Sequence, residues 1–222
     1  GVVQPSLFDE RDLAEILRVS GISFAASEEA DPEGVRAAAE RLDFPLVAKA
    51  VAPGLLHKTE IGGVILGIGS ADEAAAAAAD LGKRCAAHGY SLSKVLLQRQ
   101  VDGGIEALVG VTSDPTFGPL LVCGLGGILV ELLRDVSHHL LPLRDTDAEE
   151  MISRLKTVKL LDGYRGMPAG DRAALADVLL RVASLVEIVP EIRELDLNPV
   201  KIMPPGQGAI VVDGRMRLGA SK

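Results

Sequence analysis

The residues best suited to chemistry in this chain lie within residues 45–64. Lys49 interrupts an apolar run there, and burying its ammonium group is costly unless an anion meets it. Gly62 and Gly63 form a pair that lets a backbone approach phosphate oxygens closely. His57 lies between Lys49 and this pair, and its imidazole can act as a base, a ligand or a nucleophile. Together these residues predict a site that binds phosphate and passes it on.

Lys49 and His57 each have a purely structural alternative. A lone lysine in a strand is usually a solvated edge residue, although the apolar flanks of Lys49 favour a phosphate contact. A lone histidine is more often structural than catalytic, but a Pro-Gly turn precedes His57 and a glycine pair follows it. A neutral imidazole is nucleophilic enough to attack a phosphoryl group, and the N–P bond formed keeps a high transfer potential. A reversible phosphate relay would use that property.

A second group of polar residues lies near the C-terminal end. Glu194, Asp196 and Asn198 alternate along a predicted strand, so their side chains share one face. Asp213 ends the next predicted strand, after a tight turn. Amide and carboxylate oxygens that converge in this way suit Mg²⁺. We therefore predict Asn198 and Asp213 as magnesium ligands, with a solvated hairpin end as the alternative.

Two further segments give weaker signals. The sequence Gly-Leu-Gly-Gly at 124–127 is neither a Walker A motif nor a dinucleotide fingerprint, and a plain tight turn explains it as well as anion binding does. Residues 98–101 form a predicted strand end that leads into Asp-Gly-Gly at 102–104. Such a strand, followed by a flexible glycine hinge, fits an adenine-binding segment that joins two lobes.

The elements that must position these residues follow from apolar periodicity and from capping and turn residues. Predicted helices begin at Ser6 or Asp9, at Asp31-Pro32, at Asp72, at Thr146 and at Asp171. Predicted strands cover residues 46–51, 63–68, 94–100, 105–112, 120–123, 128–133, 192–203 and 209–213. Helices and strands alternate, but several strands are hairpin neighbours. The predicted fold class is therefore mixed α/β (α+β) rather than a purely parallel sheet.

The composition limits the class of function. With 222 residues the chain is long for one domain and short for two, which fits a single unit with two lobes. Hydrophobic residues make up 48%, enough for a sizeable core. The formal charge is −8, aromatic residues make up 3% and Trp is absent, which argues against a nucleic-acid-binding module. A nucleotide is compatible with this charge, because a few local cations and backbone amides suffice to bind it.

Neither a membrane segment nor a disulfide framework is expected. The longest uncharged stretch, residues 115–130, is shorter than the roughly 20 residues that a membrane helix needs. No signal peptide is recognisable. Cys85 and Cys123 are the only cysteines and form no CxxC pair. We interpret them as buried thiols in a reducing cytoplasm, and we expect a cytoplasmic protein.

Five of these sequence features occur in one order that resembles a known family. They are Lys49, residues 57–64, residues 114–119, residues 124–127 with Glu131, and Leu195 to Pro199. With them the chain resembles the ATP-grasp domain of ADP-forming (NDP-forming) acyl-CoA synthetases, relatives of the succinyl-CoA synthetase β subunit, from about Leu13 to Leu218. The resemblance implies a single ATP-grasp unit in which two α/β lobes clasp a nucleotide. The first lobe would be about 22–98 and the second about 99–222, with 1–21 as a packed N-terminal helix.

The resemblance also implies a role for each candidate residue. It implies that Lys49, Gly62 and Gly63 contact the nucleotide phosphates and that Gln98, Gln100 and Val101 line the adenine. It also implies that Glu106 lies near the nucleotide and that Asn198 and Asp213 bind Mg²⁺. His57 matches the family's second phosphohistidine. That residue receives phosphate from a first phosphohistidine on a CoA-binding subunit or domain and delivers it to ADP. The implied ligands are therefore ATP or ADP and Mg²⁺, and the implied partner is the CoA-binding part.

We expect the nucleotide-binding subunit or domain of an ADP-forming acyl-CoA synthetase, a ligase that is incomplete without its CoA-binding partner. Three alternatives remain open: the ATP-grasp domain of a protein acetyltransferase, a non-catalytic nucleotide-binding module, and a structural partner without a nucleotide site. One departure from the family lies in residues 137–143, where relatives commonly have an arginine. His139 could replace that guanidinium only when protonated.

Overall fold

The computed structural model describes residues 7–8, 10–55, 58–114, 116–126 and 135–219. The chain forms two compact units. The smaller unit is Ala25–Val101, and the larger unit combines Gly1–Phe24 with Asp102–Lys222. Within the described residues each unit has a hydrophobic core of its own, so each is described by itself.

The described strands and helices alternate along the chain. The strands are β1 (Leu7–Phe8), β2 (Ser27–Ala30), β3 (Leu46–Val51), β4 (Val64–Ile68), β5 (Lys94–Arg99), β6 (Ile105–Asp114), β7 (Gly118–Leu125), β8 (Val136–Leu140), β9 (Ile192–Ile202), β10 (Ala209–Val211) and β11 (Gly214–Leu218). The helices are α1 (Glu10–Val19), α2 (Val35–Ala39), α3 (Ala71–Ala87), α4 (Asp145–Ser153) and α5 (Arg172–Ile188). Short 3₁₀ turns cover Lys58–Ile61 and Val158–Leu160.

The smaller unit is an antiparallel sheet, in the order β2-β5-β3-β4, with α2 and α3 packed on one face. Helix α3 shows how the sequence determines this layer. The Ser70 hydroxyl accepts a 3.2 Å hydrogen bond from the Glu73 amide, which satisfies an N–H that the helix start leaves unpaired. The alanine-rich segment that follows favours a helix. Its buried residues are Ala74, Ala77, Ala78, Leu81 and Cys85.

The larger unit is built on an antiparallel sheet in the order β1-β11-β9-β6-β7-β8, with β10 also paired to β9. Strand β1 comes from the start of the described chain and pairs with β11 from its end. Helices α1, α4 and α5 contribute to one core with the inward residues of the sheet. In α5 these residues are Leu175, Ala176, Val178, Leu179, Val182, Leu185 and Val186.

A β-bulge interrupts the pairing of β6 with β9. Ala107 pairs with Val200, but Val109 pairs with Leu197. Two residues of β9, at positions 198 and 199, therefore lie opposite one residue of β6. Such a bulge bends a strand and changes the direction in which side chains point.

The sheet of the larger unit has one apolar and one polar face, as alternation in a strand requires. In β6 the residues Ile105, Ala107, Val109 and Val111 belong to the core, so Glu106 lies on the other face. In β9 the residues Ile192, Leu195, Leu197, Val200 and Ile202 belong to the core. The side chains of Glu194, Asp196, Asn198 and Lys201 then share the polar face with Glu106.

The structure confirms the predicted mixed α/β (α+β) class. The predicted strand at 46–51 is β3 residue for residue, and those at 94–100 and 192–203 each end one residue earlier. The helix predicted from Asp31-Pro32 is wrong in extent, because residues 32–34 form a turn in which the Gly34 amide donates to the Asp31 carbonyl at 2.8 Å. The predicted strand 128–133 lies outside the described residues.

The thiols of Cys85 and Cys123 are free and buried, as the sequence predicts. Burial raises the pKa of the Cys123 thiol to about 12. Across the described ranges, no helix has both the length and the apolar character needed to cross a membrane.

Candidate functional site

Lys49 and Gln98 lie on the sheet face of the smaller unit that is opposite its helices. Ala48 and Ala50 belong to the core, so Lys49 between them points to the other face. Lys49 pairs with Leu96 of β5, and Gln98 lies two residues further along that strand. Such diagonal neighbours are typically about 7–8 Å apart. Lys49 is 5% exposed and Gln98 is fully buried, so an ammonium and an amide group share a buried region of this face.

Gln100 and Val101 follow β5 at the end of the smaller unit. The Gln100 amide donates to the carbonyl of Pro45 at 2.9 Å, and its side-chain Oε1 accepts from the Gly67 amide at 2.8 Å. Gln100 thus ties the segment after β5 to the regions of β3 and β4. Its side chain has a structural role here, and the adenine contact expected of residues 98–101 stays a prediction.

A tight turn at 58–63 leads into β4. The amides of Gly62 and Gly63 both donate to carbonyl oxygens of the same turn, at 3.1 and 2.7 Å. The carbonyl of Gly63 accepts from the amide of Ala50 at 2.8 Å. Because Ala50 follows Lys49 in β3, this bond fixes the turn beside the lysine.

Close contacts explain why both positions of this turn are glycine. Gly62 has a φ of +66°, a conformation that favours glycine, and its carbonyl accepts from Arg84 Nη1 at 2.7 Å. A Cβ on Gly63 would lie 2.8 Å from the carbonyl oxygen of Lys58. Asp80 Oδ2 in turn lies 2.6 Å from Arg84 Nη2. Helix α3 therefore supports the turn through Arg84, which the sequence analysis did not select.

His57, the predicted phosphohistidine, lies outside the described residues, as do Gly127 and Glu131 of the glycine-rich motif. The nearest described residues on either side of His57 are Leu55 and Lys58. Leu55 is 9% exposed and belongs to the core of the smaller unit. Lys58 begins the turn described above. The role of His57 stays a prediction.

Glu106 is held from two sides on the polar face of the larger unit. Lys201 lies directly opposite it in β9, and the ammonium of Lys201 donates to Glu106 Oε1 at 2.8 Å. The backbone carbonyl of Glu106 accepts from the Gly126 amide at 2.7 Å. The fold therefore brings a predicted nucleotide residue together with the glycine-rich segment. Lys201 is not among the predicted site residues, although it interrupts an apolar strand in the same way as Lys49 does.

Asn198 and Asp213 lie opposite each other where β9 pairs with the segment that joins β10 to β11. The Asn198 amide donates to the Asp213 carbonyl at 3.0 Å, and the Val212 amide donates to the Pro199 carbonyl at 3.0 Å. Asp213 Oδ1 accepts from the amide of Gly214 at 2.8 Å. The two predicted metal ligands are therefore neighbours through a pair of backbone hydrogen bonds.

Asp196 adds negative charge to the same region. Burial raises the pKa of its carboxyl, Arg215 opposes that change, and the carboxylates of Asp213 and Glu194 raise the pKa further. Arg215 pairs with Asp196 across β9 and β11. Asp196 therefore lies on the polar face of β9 with Asn198, where burial is the main reason that its carboxyl is harder to ionise.

These donors fit magnesium that is bound together with a nucleotide. No group of three or more His, Cys, Asp or Glu side chains within the described ranges is arranged to hold a metal by itself. Asn198 and Asp213 supply one amide and one carboxylate oxygen. Mg²⁺ usually keeps several waters and takes substrate phosphate oxygens as further ligands, so two protein ligands are sufficient.

His139 lies on the opposite face of the sheet from Glu106. It pairs with the core residue Leu121, and its Nε2 lies 3.9 Å from Asp147 Oδ1 on α4. Its Nδ1 lies 2.6 Å from the carbonyl oxygen of Leu140. The imidazole is therefore directed to the helix layer rather than to the polar face that carries Glu106.

Comparison with known proteins shows which family the chain resembles along its length. The profile of a family described as ATP-grasp domain matches residues 4–218. The chain is 42% identical, over 82% of its length, to acetate–CoA ligase (ADP-forming) I of Archaeoglobus fulgidus, and spans 26% of that protein. It is 38% identical, over 94% of its length, to the β subunit of acetate–CoA ligase (ADP-forming) I of Pyrococcus furiosus, and spans 90% of that subunit.

Solved structures give the same relation. The fold matches an acetyl-coenzyme A synthetase 1 from Ca. Korarchaeum cryptofilum, in complex with coenzyme A and Ca-AMPCP, with a TM-score of 0.90 and 35% identity over 97% of this chain and 93% of that one. A second structure of that protein contains coenzyme A and Mg-AMPPCP, with a phosphohistidine segment pointing towards the nucleotide binding site, and matches with a TM-score of 0.84. These matches confirm the predicted ATP-grasp fold.

Proposed function

Since this chain belongs to the ATP-grasp domains of ADP-forming acyl-CoA synthetases, we propose that it carries out the nucleotide half of their reaction. The complete reaction converts acyl-CoA, phosphate and ADP into a carboxylic acid, CoA and ATP, or runs in reverse. In this chain the N–P bond of phosphorylated His57 breaks as a bond forms to a β-phosphate oxygen of ADP. The products are ATP and the free imidazole.

The observation that carries this proposal is the acidic polar face around the bulge at Asn198. Hard oxygen donors are concentrated there: the Asn198 backbone amide donates to the Asp213 carbonyl at 3.0 Å, and Glu194 and Asp196 lie on the same face of β9. Bound Mg²⁺ would supply positive charge to the nucleotide phosphates at this place. Asn198 and Asp213 would hold it, and Glu106 would contact the nucleotide on the same face.

In the smaller unit, Lys49 offsets the charge that spreads over the transferred phosphoryl group. Lys49 as a whole is only 5% exposed, and a charge interacts more strongly with an anion where water is partly excluded. Gly62 and Gly63 would shape the backbone beside the phosphates, because their turn is bonded to β3 next to Lys49 and their own amides donate within that turn. Gln98, Gln100 and Val101 line the adenine.

The proposed reaction requires a partner. A CoA-binding subunit, or a further domain of a longer polypeptide, supplies the first phosphohistidine and the acyl-CoA chemistry. The Archaeoglobus relative, of which this chain spans 26%, and the Pyrococcus β subunit, of which it spans 90%, represent these two arrangements. The free thiols of Cys85 and Cys123 fit the cytoplasmic location that the sequence predicts.

The direct test is incubation with γ-labelled ATP and Mg²⁺, followed by mapping of acid-labile phosphate. We expect label on His57 in the wild type and none in His57→Ala, with ADP released in proportion to the label. Equal labelling of His57→Ala would contradict the relay. ADP binding without any label on His57 in the wild type would favour a non-catalytic nucleotide-binding module instead.

A further inference from the structure

Lys201 is a cation on the polar face and has no role in the proposed function. It lies in β9 between Val200 and Ile202, both fully buried, and its own side chain is 18% exposed. Its ammonium donates to Glu106 Oε1 at 2.8 Å. The lysine is three residues beyond Asn198, at the end of β9 that follows the bulge.

The carboxylates on this face have cationic neighbours across the strands. Arg217 lies 3.0 Å from Glu194, and Arg215 is placed opposite Asp196. Lys201 is the cationic neighbour of Glu106, which it faces across β9 and β6. Without these cations, a nucleotide polyphosphate that approached the face would meet several uncompensated carboxylates. Like charges repel most strongly where water is partly excluded.

We propose that Lys201 is a positioning residue of the nucleotide site, which acts through Glu106. This proposal rests on the proposed function, in which Glu106 contacts the nucleotide. The ammonium holds the Glu106 carboxylate in one orientation and cancels its charge, so that the carboxylate presents an acceptor to the nucleotide without repelling the phosphates. The Gly126 amide fixes the backbone of the same glutamate.

The burial of the pair is uneven, because the Lys201 side chain is 18% exposed and the Glu106 side chain is 42% exposed. A pair this exposed adds little to stability, so the role of Lys201 lies in the charge that it sets opposite the Glu106 carboxylate. In Lys201→Met the methionine keeps the apolar stem within the sheet while the ammonium is lost. Glu106 would then be an unpaired carboxylate on the face where the phosphates bind.

A double-mutant cycle tests the proposal with the complete protein as it occurs, including its CoA-binding part. The affinity for ADP with Mg²⁺ is measured by calorimetry for the wild type, Lys201→Met, Glu106→Gln and the double variant. We expect Lys201→Met to weaken ADP binding about tenfold or more. The double variant should bind ADP no more weakly than Glu106→Gln alone, since a neutral residue 106 no longer needs neutralisation.

Two control variants separate this role from general stability. Lys201→Arg keeps a cation opposite Glu106 and should retain ADP affinity within about threefold. Arg217→Met breaks the corresponding cross-strand pair with Glu194 at the other end of β9 and should leave ADP affinity unchanged. Melting temperatures of all variants identify any that fail to fold; if Lys201→Met is one of them, Lys201→Gln, which also removes the charge, takes its place and should weaken ADP binding in the same way.

Two results would overturn the inference while the proposed function stands. One is wild-type affinity in Lys201→Met. The other is full additivity of the two single substitutions, which would mean that Lys201 acts independently of Glu106. If the wild type binds no ADP at all, the proposed function fails, and the role of Lys201 fails with it.

Discussion

The metal assignment is a matter of two side chains, and it gives the first prediction. Asn198→Ala and Asp213→Ala each remove one oxygen donor from the bulge region. Each should therefore raise the Mg²⁺ concentration that supports half-maximal ADP binding by about tenfold or more. The measurement is an ADP titration at a series of Mg²⁺ concentrations. Glu187→Gln, at an exposed carboxylate on helix α5, is the control and should behave as the wild type. An unchanged Mg²⁺ dependence in both alanine variants would remove the assignment.

The glycine at position 63 gives a second prediction for a single residue. In Gly63→Ala the new methyl group would lie 2.8 Å from the Lys58 carbonyl, so the turn beside Lys49 must move. We expect a loss of about 1–3 kcal/mol in the free energy of unfolding, together with weaker ADP binding. Chemical denaturation and calorimetry measure the two effects.

Gly69→Ala is the matched control for Gly63→Ala. Its Cβ would meet only Glu73 Oε2, at the ordinary contact distance of 3.5 Å. The free energy of unfolding should change by no more than about 0.5 kcal/mol. If both alanine variants were equally stable, the contact with Lys58 would not be what requires glycine at position 63.

Single residues also show how far sequence reasoning reaches. Lys49 was selected because it interrupts an apolar strand, and the structure places it in β3 with 5% exposure. Lys201 interrupts β9 in the same way, but the nearby Asn-Pro pair directed the interpretation to metal binding. Arg84 could not be found, because its contact with Gly62 joins residues that are distant in sequence and depends on the fold.

Asp171 connects two elements and gives the third prediction. Its Oδ1 caps α5 by accepting from the Ala174 amide at 3.1 Å, and its Oδ2 accepts from the amides of Gly206 and Gly208 in the turn after β9. Asp171→Ala should therefore lower the free energy of unfolding by about 1–2 kcal/mol at pH 7. Urea denaturation measures this difference.

The same carboxylate makes the difference depend on pH. The bond from the Ala174 amide lowers the pKa of Asp171, partial burial opposes this, and the Gly208 and Gly206 amides add to the lowering. Its contribution is complete above the unfolded pKa, about 3.9, and is lost as the pH falls through the lower folded value. The gap between wild type and Asp171→Ala should thus close only below about pH 4. A gap that closed near neutral pH would contradict this account.

At the level of elements, sequence patterns predicted the strands that are rich in apolar residues and missed those that are not. Strand β2 reads Ser-Glu-Glu-Ala and forms because β5 offers it an antiparallel edge. Strands β8 and β11 contain histidines and arginines and likewise depend on their neighbours. Their pairing is a property of the folded sheet, so local propensity gives no sign of it.

For the whole molecule, the separate cores give the fourth prediction. Leu97→Ala in the smaller unit and Leu197→Ala in the larger unit each empty a fully buried position and should cost about 2–5 kcal/mol. Amide hydrogen exchange should show the loss of protection mainly within the unit that carries the substitution. Leu66→Ala, at a position that is 68% exposed, is the control. Equal loss of protection in both units would show that they unfold as one.

The fold as a whole was predicted by resemblance rather than by physical reasoning. Periodicity and turn residues led only to a mixed α/β class. The order of motifs from Lys49 to Pro199 pointed to the ATP-grasp fold, which the structural matches confirm. The pairing of β1 with β11 could not be predicted, because it joins the two ends of the described chain and no local signal indicates which partner a two-residue strand will find.

That pairing determines the order in which the protein can fold during synthesis. The smaller unit is one continuous segment, so all of its strands are synthesised before β6 is. The larger unit must wait for β11, and Leu13 of α1 can reach its contact with Gly214 only then. Residues 10–19 of α1 are thus translated long before the strand against which Leu13 packs, so their apolar face is among the last parts of the larger unit to be buried.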